Sequence, residues 1–293
     1  MKKQPAIWTA LQVFEKICNA LPHERAVRMG AALGRTVERC SKARVGRARA
    51  RAEKILGVTE SEARGIVSRA YEHFGRALVE FLRLPQTAHR LDELVTLRGE
   101  EHISAALARG KGVIFLSAHI GCWEYGAALL AQHGFPMNAI GAEQRDPRMT
   151  DAIARLRQSA GVKTVGKGLD LRAAVECLKG KGILAILLDQ DAREAGVVSP
   201  FLGQPASTPI GPIKLARKFG SPVVPVHIVR NPDGFTMTMT IEPPLEGTDG
   251  RPFGDDVQDA ADRCNAAISR WIRANPDQWM WMYPRWATTL GDR

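Results

Sequence analysis

The chain has 293 residues, of which 45% are hydrophobic and 25% charged, with a formal net charge of +10. That length and balance provide for a buried core and exclude a wholly disordered, collagen-like or low-complexity chain. No stretch approaches the roughly 18 to 20 consecutive apolar residues that span a bilayer; the longest uncharged run, Tyr125 to Ala142, is interrupted by Gln132, His133, Pro136 and Asn138.

The charge is concentrated at one end. Residues 1–55 carry thirteen lysines and arginines against four acids, a net +9, and the remainder of the chain is nearly balanced. Within this segment Ile7, Leu11, Phe14, Cys18 and Leu21 recur at a 4-3-4-3 spacing that lines one helix face, widened by Trp8 and Ile17. An apolar stripe beside clustered cations suits an interfacial helix: the stripe enters the lipid boundary, and each cation near an anionic surface contributes about 1 kcal/mol. The same stripe also suits a helix packed on the protein's own core. No aromatic residue is interleaved between Arg25 and Lys54 and no nucleic-acid-binding motif is present, so an anionic membrane surface, not nucleic acid, is the expected partner. Glu15 and Lys16 break the apolar stretch and no small-residue cleavage site follows, so it reads as mature protein and not as a signal peptide.

A helical pattern follows over Glu60 to Leu84, with Ala63, Ile66, Val67, Ala70, Phe74, Ala77, Leu78 and Phe81 facing inward and Pro85 ending it. Beyond Leu94 short apolar runs alternate with amphipathic segments. Strands are predicted at Leu94–Arg98, Val113–Ala118, Met137–Gly141, Ile183–Leu188, Val223–Val229 and Phe235–Ile241. Helices are predicted at Ser104–Ala108, Glu124–Gln132, Arg148–Ser159, Leu169–Leu178, Pro212–Lys218 and from about Asp255 to Arg273. This alternation implies an α/β fold with a mostly parallel central sheet flanked by helices. Phe235–Ile241, where Met237 and Met239 alternate with threonines, reads as an antiparallel edge strand. The expected organisation is an N-terminal helical subdomain over residues 1–90 and an α/β core over residues 91–293. The five cysteines are odd in number and scattered, with no C-x-x-C pair; that pattern argues against a disulfide framework or a structural zinc site and fits a reducing compartment.

The run Val113-Ile-Phe-Leu-Ser-Ala118 discharges into His119-Ile-Gly-Cys-Trp-Glu124, where a helix begins. Ligands of open α/β sheets bind beyond the carboxyl ends of the strands, so His119 stands where a site is expected. Gly121 permits a tight turn, and a return of the chain brings the Glu124 carboxylate onto the imidazole, holding Nε2 free as a general base for an alcohol. The same spacing is compatible with a histidine satisfied at a turn. Cys122 reads as packing, His133 as structural or exposed, and no further ligands stand near His119 and Glu124 for a metal.

His119-Ile-Gly-Cys-Trp-Glu124 resembles the His-x-x-x-x-Glu motif of the bacterial lipid A biosynthesis acyltransferases, the lauroyl/myristoyl type within the wider glycerolipid acyltransferase superfamily. Three further blocks are similar to that family: Asp151 to Arg157 with Gly161; Leu188-Asp189-Gln190-Asp191 with Val198 to Gly203 and Ala206 to Pro212; and Asn275 to Trp286. The resemblance runs from about Trp8 to Trp286 and implies a glycerolipid-acyltransferase-like fold at the cytoplasmic face of the bacterial inner membrane. It implies transfer of a fatty acyl chain from an acyl carrier protein (or CoA) thioester to a hydroxyl of a lipid A precursor, without a cofactor, with His119 as base and Glu124 orienting it. Arg155 and Arg157 offer guanidinium forks for phosphate, while Asp189, Gln190, Ser207 and Thr208 are the remaining candidates for substrate contact. Several relatives begin with a transmembrane anchor, where this sequence shows the amphipathic stripe with Trp8 and Phe14, and Tyr283-Pro284 stands where basic or histidine residues are usual. The absence of a Phe-Pro-Glu-Gly-Thr-Arg block argues for the lipid A branch over glycerol-3-phosphate-type relatives. Another glycolipid acceptor, such as a phosphatidylinositol mannoside or an ornithine lipid, and a non-enzymatic basic lipid-binding module remain alternatives.

Overall fold

The computed structural model describes residues 5–167, 171–246 and 256–292. Four helices open it: α1 (Pro5–Ala20), α2 (His23–Cys40), α3 (Lys42–Leu56) and α4 (Glu60–Leu82). Thr59 starts α4 with a reciprocal cap, its hydroxyl accepting from the Glu62 amide at 3.3 Å while the Glu62 carboxylate accepts from the Thr59 amide at 2.8 Å. Pro85 does stand beyond the end of α4, but as an early residue of the next short helix, α5 (Leu84–Thr87), where its missing N–H costs nothing.

After α6 (Leu91–Leu94) the chain alternates as expected: β1 (Val95–Arg98), α7 (Glu100–Ala108), β2 (Val113–Ser117), α8 (Trp123–Gln132), β3 (Met137–Gly141), α9 (Pro147–Ser159), β4 (Lys163–Lys167), α10 (Leu171–Lys179) and β5 (Ile183–Leu187). The hairpin β6 (Val197–Phe201) and β7 (Gln204–Thr208) follows, then α11 (Gly211–Phe219), β8 (Val223–Arg230), β9 (Met237–Ile241), α12 (Val257–Ala274) and α13 (Ala287–Leu290). The predicted starts of two helices, Leu169–Asp170 and Asp255, lie outside the described residues. Seven strands form one sheet in the order β1-β9-β8-β2-β5-β3-β4, and β8, β2, β5, β3 and β4 run parallel. All five residues of β2 are buried, as suits a strand near the middle of a sheet covered on both faces.

One expectation needs correction, and of the two readings of the α1 stripe the core-packed one forms. The Met-Thr segment β9 is antiparallel to β8, but it is not an edge, because β1 pairs with it on the other side. The stripe of α1 does not face outward: Cys18 is fully buried, and Leu11, Phe14 and Leu21 pack with it against α2, α4 and Leu156 of α9. Arg83 fixes this arrangement by donating to the Cys18 and Leu21 carbonyls at the end of α1. The large apolar residues of α1 that face solvent, among those described, are Val13 and Ile17, at 51% and 47% exposure.

Helix α4 positions the site, and two devices hold it. Glu80 of α4 and Arg230 of β8 form a fully buried bidentate pair with both contacts at 2.6 Å, pinning the helix to the sheet. On its other side α4 meets α2 backbone to backbone through Gly30, Gly34 and Gly75. A Cβ on Gly30 would stand 2.6 Å from the Gly75 carbonyl oxygen, and one on Gly34 would collide with the Tyr71 carbonyl. Because the obstacle is backbone, Gly34→Ala is expected to lower stability by about 1–3 kcal/mol. Urea denaturation of the variant checks this, and an unchanged midpoint would contradict the close approach.

Candidate active site

Strands β2 and β5 are parallel neighbours in register, with Ser117 opposite Leu187. His119 and Asp189 each lie two residues beyond that pair, so the pairing itself delivers both side chains to the same place at the carboxyl edge of the sheet. The His119 Nδ1 is 2.8 Å from Asp189 Oδ1, and the His119 amide donates to Asp189 Oδ2 at 2.9 Å. A third donor, the Trp279 indole N–H, reaches Asp189 Oδ2 at 2.8 Å. Burial pushes the Asp189 carboxyl up, but the facing imidazole and these donors outweigh it and hold the group below its usual value. An ionised carboxylate only accepts, so Nδ1 carries the ring proton and Nε2 is the basic atom. The Trp123 ring meets the imidazole edge-on with centroids 4.9 Å apart.

The loop after β2 is held by the C-terminal segment. Ile120 bridges to Trp279, and the Gly121 amide donates to the Gln278 carbonyl at 3.1 Å. Gly121 has a φ of +60°, and a Cβ there would collide with the Ile228 carbonyl, so both conformation and space require glycine. Trp279, Trp281 and Trp286 are buried together with Phe201; Trp279 and Trp281 pack edge-to-face at 4.8 Å.

The expected contact between Glu124 and His119 is not what forms. Glu124, in the first turn of α8, accepts from Arg157 Nε at 2.9 Å and Nη2 at 2.7 Å, and from the Trp123 indole at 3.3 Å. A guanidinium fork from α9 outcompetes a return of the chain over five residues, because it satisfies both carboxylate oxygens at once. Arg157 is buried and its fork is thus occupied. Arg155, two residues earlier, is exposed on the outside of α9. Gln190 is exposed and lines the cavity beside His119. Ser207 and Thr208 do not reach the cavity. They are buried in β7, where the Ser207 hydroxyl donates to the Arg193 carbonyl at 2.5 Å and Thr208 Oγ1 accepts from Asn265 at 2.8 Å and from Arg285 at 2.9 Å.

His119, Glu124, Arg157 and Gln190 share a cavity of about 490 Å³, within the range of small-molecule sites. Its walls are otherwise largely apolar: Phe74, Ala77, Leu78 and Phe81 of α4 on one side, Ile153 of α9 and Ile140 and Ile186 from the sheet on the other. Cys122 also borders it but is buried, and burial raises its thiol well above the ordinary range, which makes it a poor thiolate nucleophile. Among the described residues no group of three or more His, Cys, Asp or Glu is placed to hold a metal ion.

Sequence comparison matches residues 3–288 to the family described as bacterial lipid A biosynthesis acyltransferase. The phosphatidylinositol mannoside acyltransferase of Mycobacterium tuberculosis (strain CDC 1551 / Oshkosh) is 26% identical over 249 residues, 82% of this chain and 76% of that protein. The lipid A biosynthesis lauroyltransferase of Escherichia coli (strain K12) is 26% identical over 273 residues, 92% of this chain and 87% of that protein. A crystal structure of a 1-acyl-sn-glycerophosphate acyltransferase from Thermotoga maritima aligns over 91% of this chain and 99% of its own with a TM-score of 0.41 and 17% identity. The chain belongs to the bacterial lipid A biosynthesis acyltransferase family.

The two carboxylates hold different partners, and substitution separates them. Asp189→Asn removes the charge that orients the imidazole and is expected to lower turnover about 100-fold or more with little change in melting temperature. Glu124→Gln leaves the buried Arg157 charge without its partner and is expected to lower stability by about 3 kcal/mol. Steady-state kinetics beside thermal denaturation of both variants reads the difference; equal stability losses would merge the roles.

Proposed function

We propose that this member of the family transfers a fatty acyl chain from an acyl carrier protein thioester to a hydroxyl of a glycolipid acceptor, with a lipid A precursor as first choice. The observation that carries this reading is the imidazole of His119, fixed through Nδ1 by buried Asp189, at the wall of an apolar cavity. The acceptor hydroxyl oxygen attacks the thioester carbonyl as its proton passes to Nε2. The tetrahedral intermediate then collapses, the carbon–sulfur bond breaks, and the departing thiolate takes that proton from the imidazolium. No protein nucleophile is required, which accords with the buried, raised thiol of Cys122. The α4 wall of Phe74, Leu78 and Phe81 supplies apolar surface for the chain.

In this reading Asp189 takes the orienting role expected of Glu124, and Glu124 with Arg157 shapes the cavity wall. The test is an assay of purified protein with acyl carrier protein and CoA thioesters against lipid A precursor. His119→Ala is expected to abolish transfer while preserving the fold, and transfer near the unsubstituted rate would remove His119 from the mechanism. The mannoside-specific names of the mycobacterial relatives favour a second acceptor class, so phosphatidylinositol mannosides belong in the same assay. Binding of anionic lipid with no turnover of any acceptor would instead support a lipid-binding module.

No helix among the described residues is long and apolar enough to cross a membrane. We infer peripheral docking on the cytoplasmic face of the inner membrane, with residues 1–90 as the docking part. The support is the basic charge of this segment together with the outward Val13 and Ile17 of α1 and the half-exposed Phe74 beside the cavity. Val13→Asp with Ile17→Asp is expected to reduce co-sedimentation with phosphatidylglycerol vesicles several-fold; unaltered co-sedimentation would count against this face.

A further inference from the structure

A second cavity, of about 370 Å³, adjoins the first. Met280 lines both, so the two spaces are separated by roughly one side chain. Its floor is the segment Met280 to Pro284, and its opposite wall is α3, which presents Arg44, Arg47 and Arg51 at intervals of three and four residues along one face. These three arginines differ in what they already hold. Arg51 is buried and committed, donating to the Asp292 carboxylate, in one contact at 2.8 Å, and to the Trp281 carbonyl. Arg44 and Arg47 are exposed, and no carboxylate among the described residues pairs with either. Facing them is Tyr283, whose hydroxyl oxygen accepts from the Asp191 amide at 3.1 Å and so keeps its own proton to donate elsewhere.

We propose that this cavity is a phosphate subsite for the acceptor, in which Arg44 and Arg47 grip a phosphate group of a glycolipid whose hydroxyl lies at His119. The proposal rests on the acyl-transfer reading above and specifies the acceptor as phosphorylated. Two guanidinium forks that pair with no described carboxylate, with a hydroxyl donor, concave and next to a base, suit the tetrahedral oxygens of a phosphate ester. Proximity favours the acceptor over the donor: a carrier-bound thioester hangs on a pantetheine arm that sets its phosphate far from the reacting carbonyl, whereas the two cavities share one methionine as their wall. The segment that lines the cavity also carries Trp279, the partner of Asp189, so the floor of the phosphate cavity and the support of the base are one piece of chain.

The test uses the full chain with Arg44→Ala and Arg47→Ala together, changes at exposed positions of a helix where alanine is well tolerated. The reading is the ratio of kcat/KM for a phosphorylated lipid A precursor to that for the same lipid after enzymatic dephosphorylation. This ratio is expected to fall about tenfold or more in the double variant, through KM. Arg44→Lys with Arg47→Lys, which keeps the charge and loses the forks, is expected to fall between. A second arm needs no turnover: inorganic phosphate is expected to raise the melting temperature of the unsubstituted protein above that in sodium chloride of equal ionic strength, and not that of the alanine variant. An unchanged acceptor ratio overturns the proposal, as does equal stabilisation of both proteins by phosphate. Weaker binding to phosphatidylglycerol vesicles with an unchanged ratio also overturns it, assigning the arginines to the membrane surface. If no acceptor is acylated by either protein, the acyl-transfer reading fails, and the melting arm alone decides whether the cavity binds phosphate.

Discussion

The pairing of β2 with β5 is the constraint from which the site follows. Two parallel strands in register deliver the residues that follow them to neighbouring points, and here those residues are a histidine and an aspartate at the same offset. A shift of one residue in that register would turn Asp189 to the opposite face of its strand and leave His119 without an acceptor for Nδ1. The register is strongly specified because both strands are buried and flanked, β2 by β8 and β5 by β3, so a slip would misplace apolar side chains across the whole sheet.

What surrounds that pair works to keep a buried carboxylate ionised. Asp189 is almost wholly enclosed, a position in which a lone charge is costly. Three donors compensate: the His119 amide, its imidazole, and the Trp279 indole supplied from far along the chain. Trp279 is itself immobilised by packing against Phe201, Trp281 and Trp286. Arg285 extends the same logic: burial lowers its guanidinium to about 10, and it donates to the Ser207 carbonyl and Thr208 hydroxyl while lying 4.6 Å over the Phe201 ring. The C-terminal segment is thus a strap that fastens the β6–β7 hairpin, the loop after β2 and the orienting aspartate together, and Arg51 ties it to α3.

Much of this was legible in the sequence because it was written in local pattern. The buried apolar runs gave six strands to within about two residues, and the position of His119 after one of them followed from the fold class alone. What escaped was written in register or in distant contacts. Lys163–Lys167 has too little apolar alternation to read as a strand and forms one by pairing along β3. The β6–β7 hairpin turns on Leu202 and Gly203, both at positive φ, and leucine is not a residue that announces such a turn. Glu124 drew attention as the partner of His119 because it is near in sequence, yet Asp189, seventy residues on, is near in space. Asp189 already stood among the candidates as the polar residue after the apolar run Ile183–Leu188, but its pairing with His119 is set by the register of β2 with β5. The stripe of α1 shows the same limit in reverse, since periodicity identifies an apolar face without saying what covers it.

The concentration of charge in the first 55 residues acquires a different meaning once α3 is seen against the C-terminal strap. A solvated basic face would need only to be outside, and its arginines would be free to pair with acids of neighbouring helices, as Arg49 does with Glu38 at 2.9 Å and Arg35 with Glu72 at 3.1 Å. Arg44 and Arg47 instead face a concavity whose far wall carries a tyrosine and methionines and no carboxylate. Two cations that pair with no described carboxylate repel one another, modestly because both are exposed to solvent. An arrangement that raises the energy of the empty protein in this way binds an anion more tightly than the same two residues on a flat surface, because the ligand relieves the repulsion as well as making its own contacts. In the acyl-transfer reading, His119 lies about one side chain from this cleft, so an anion held there and the hydroxyl that accompanies it belong to one molecule.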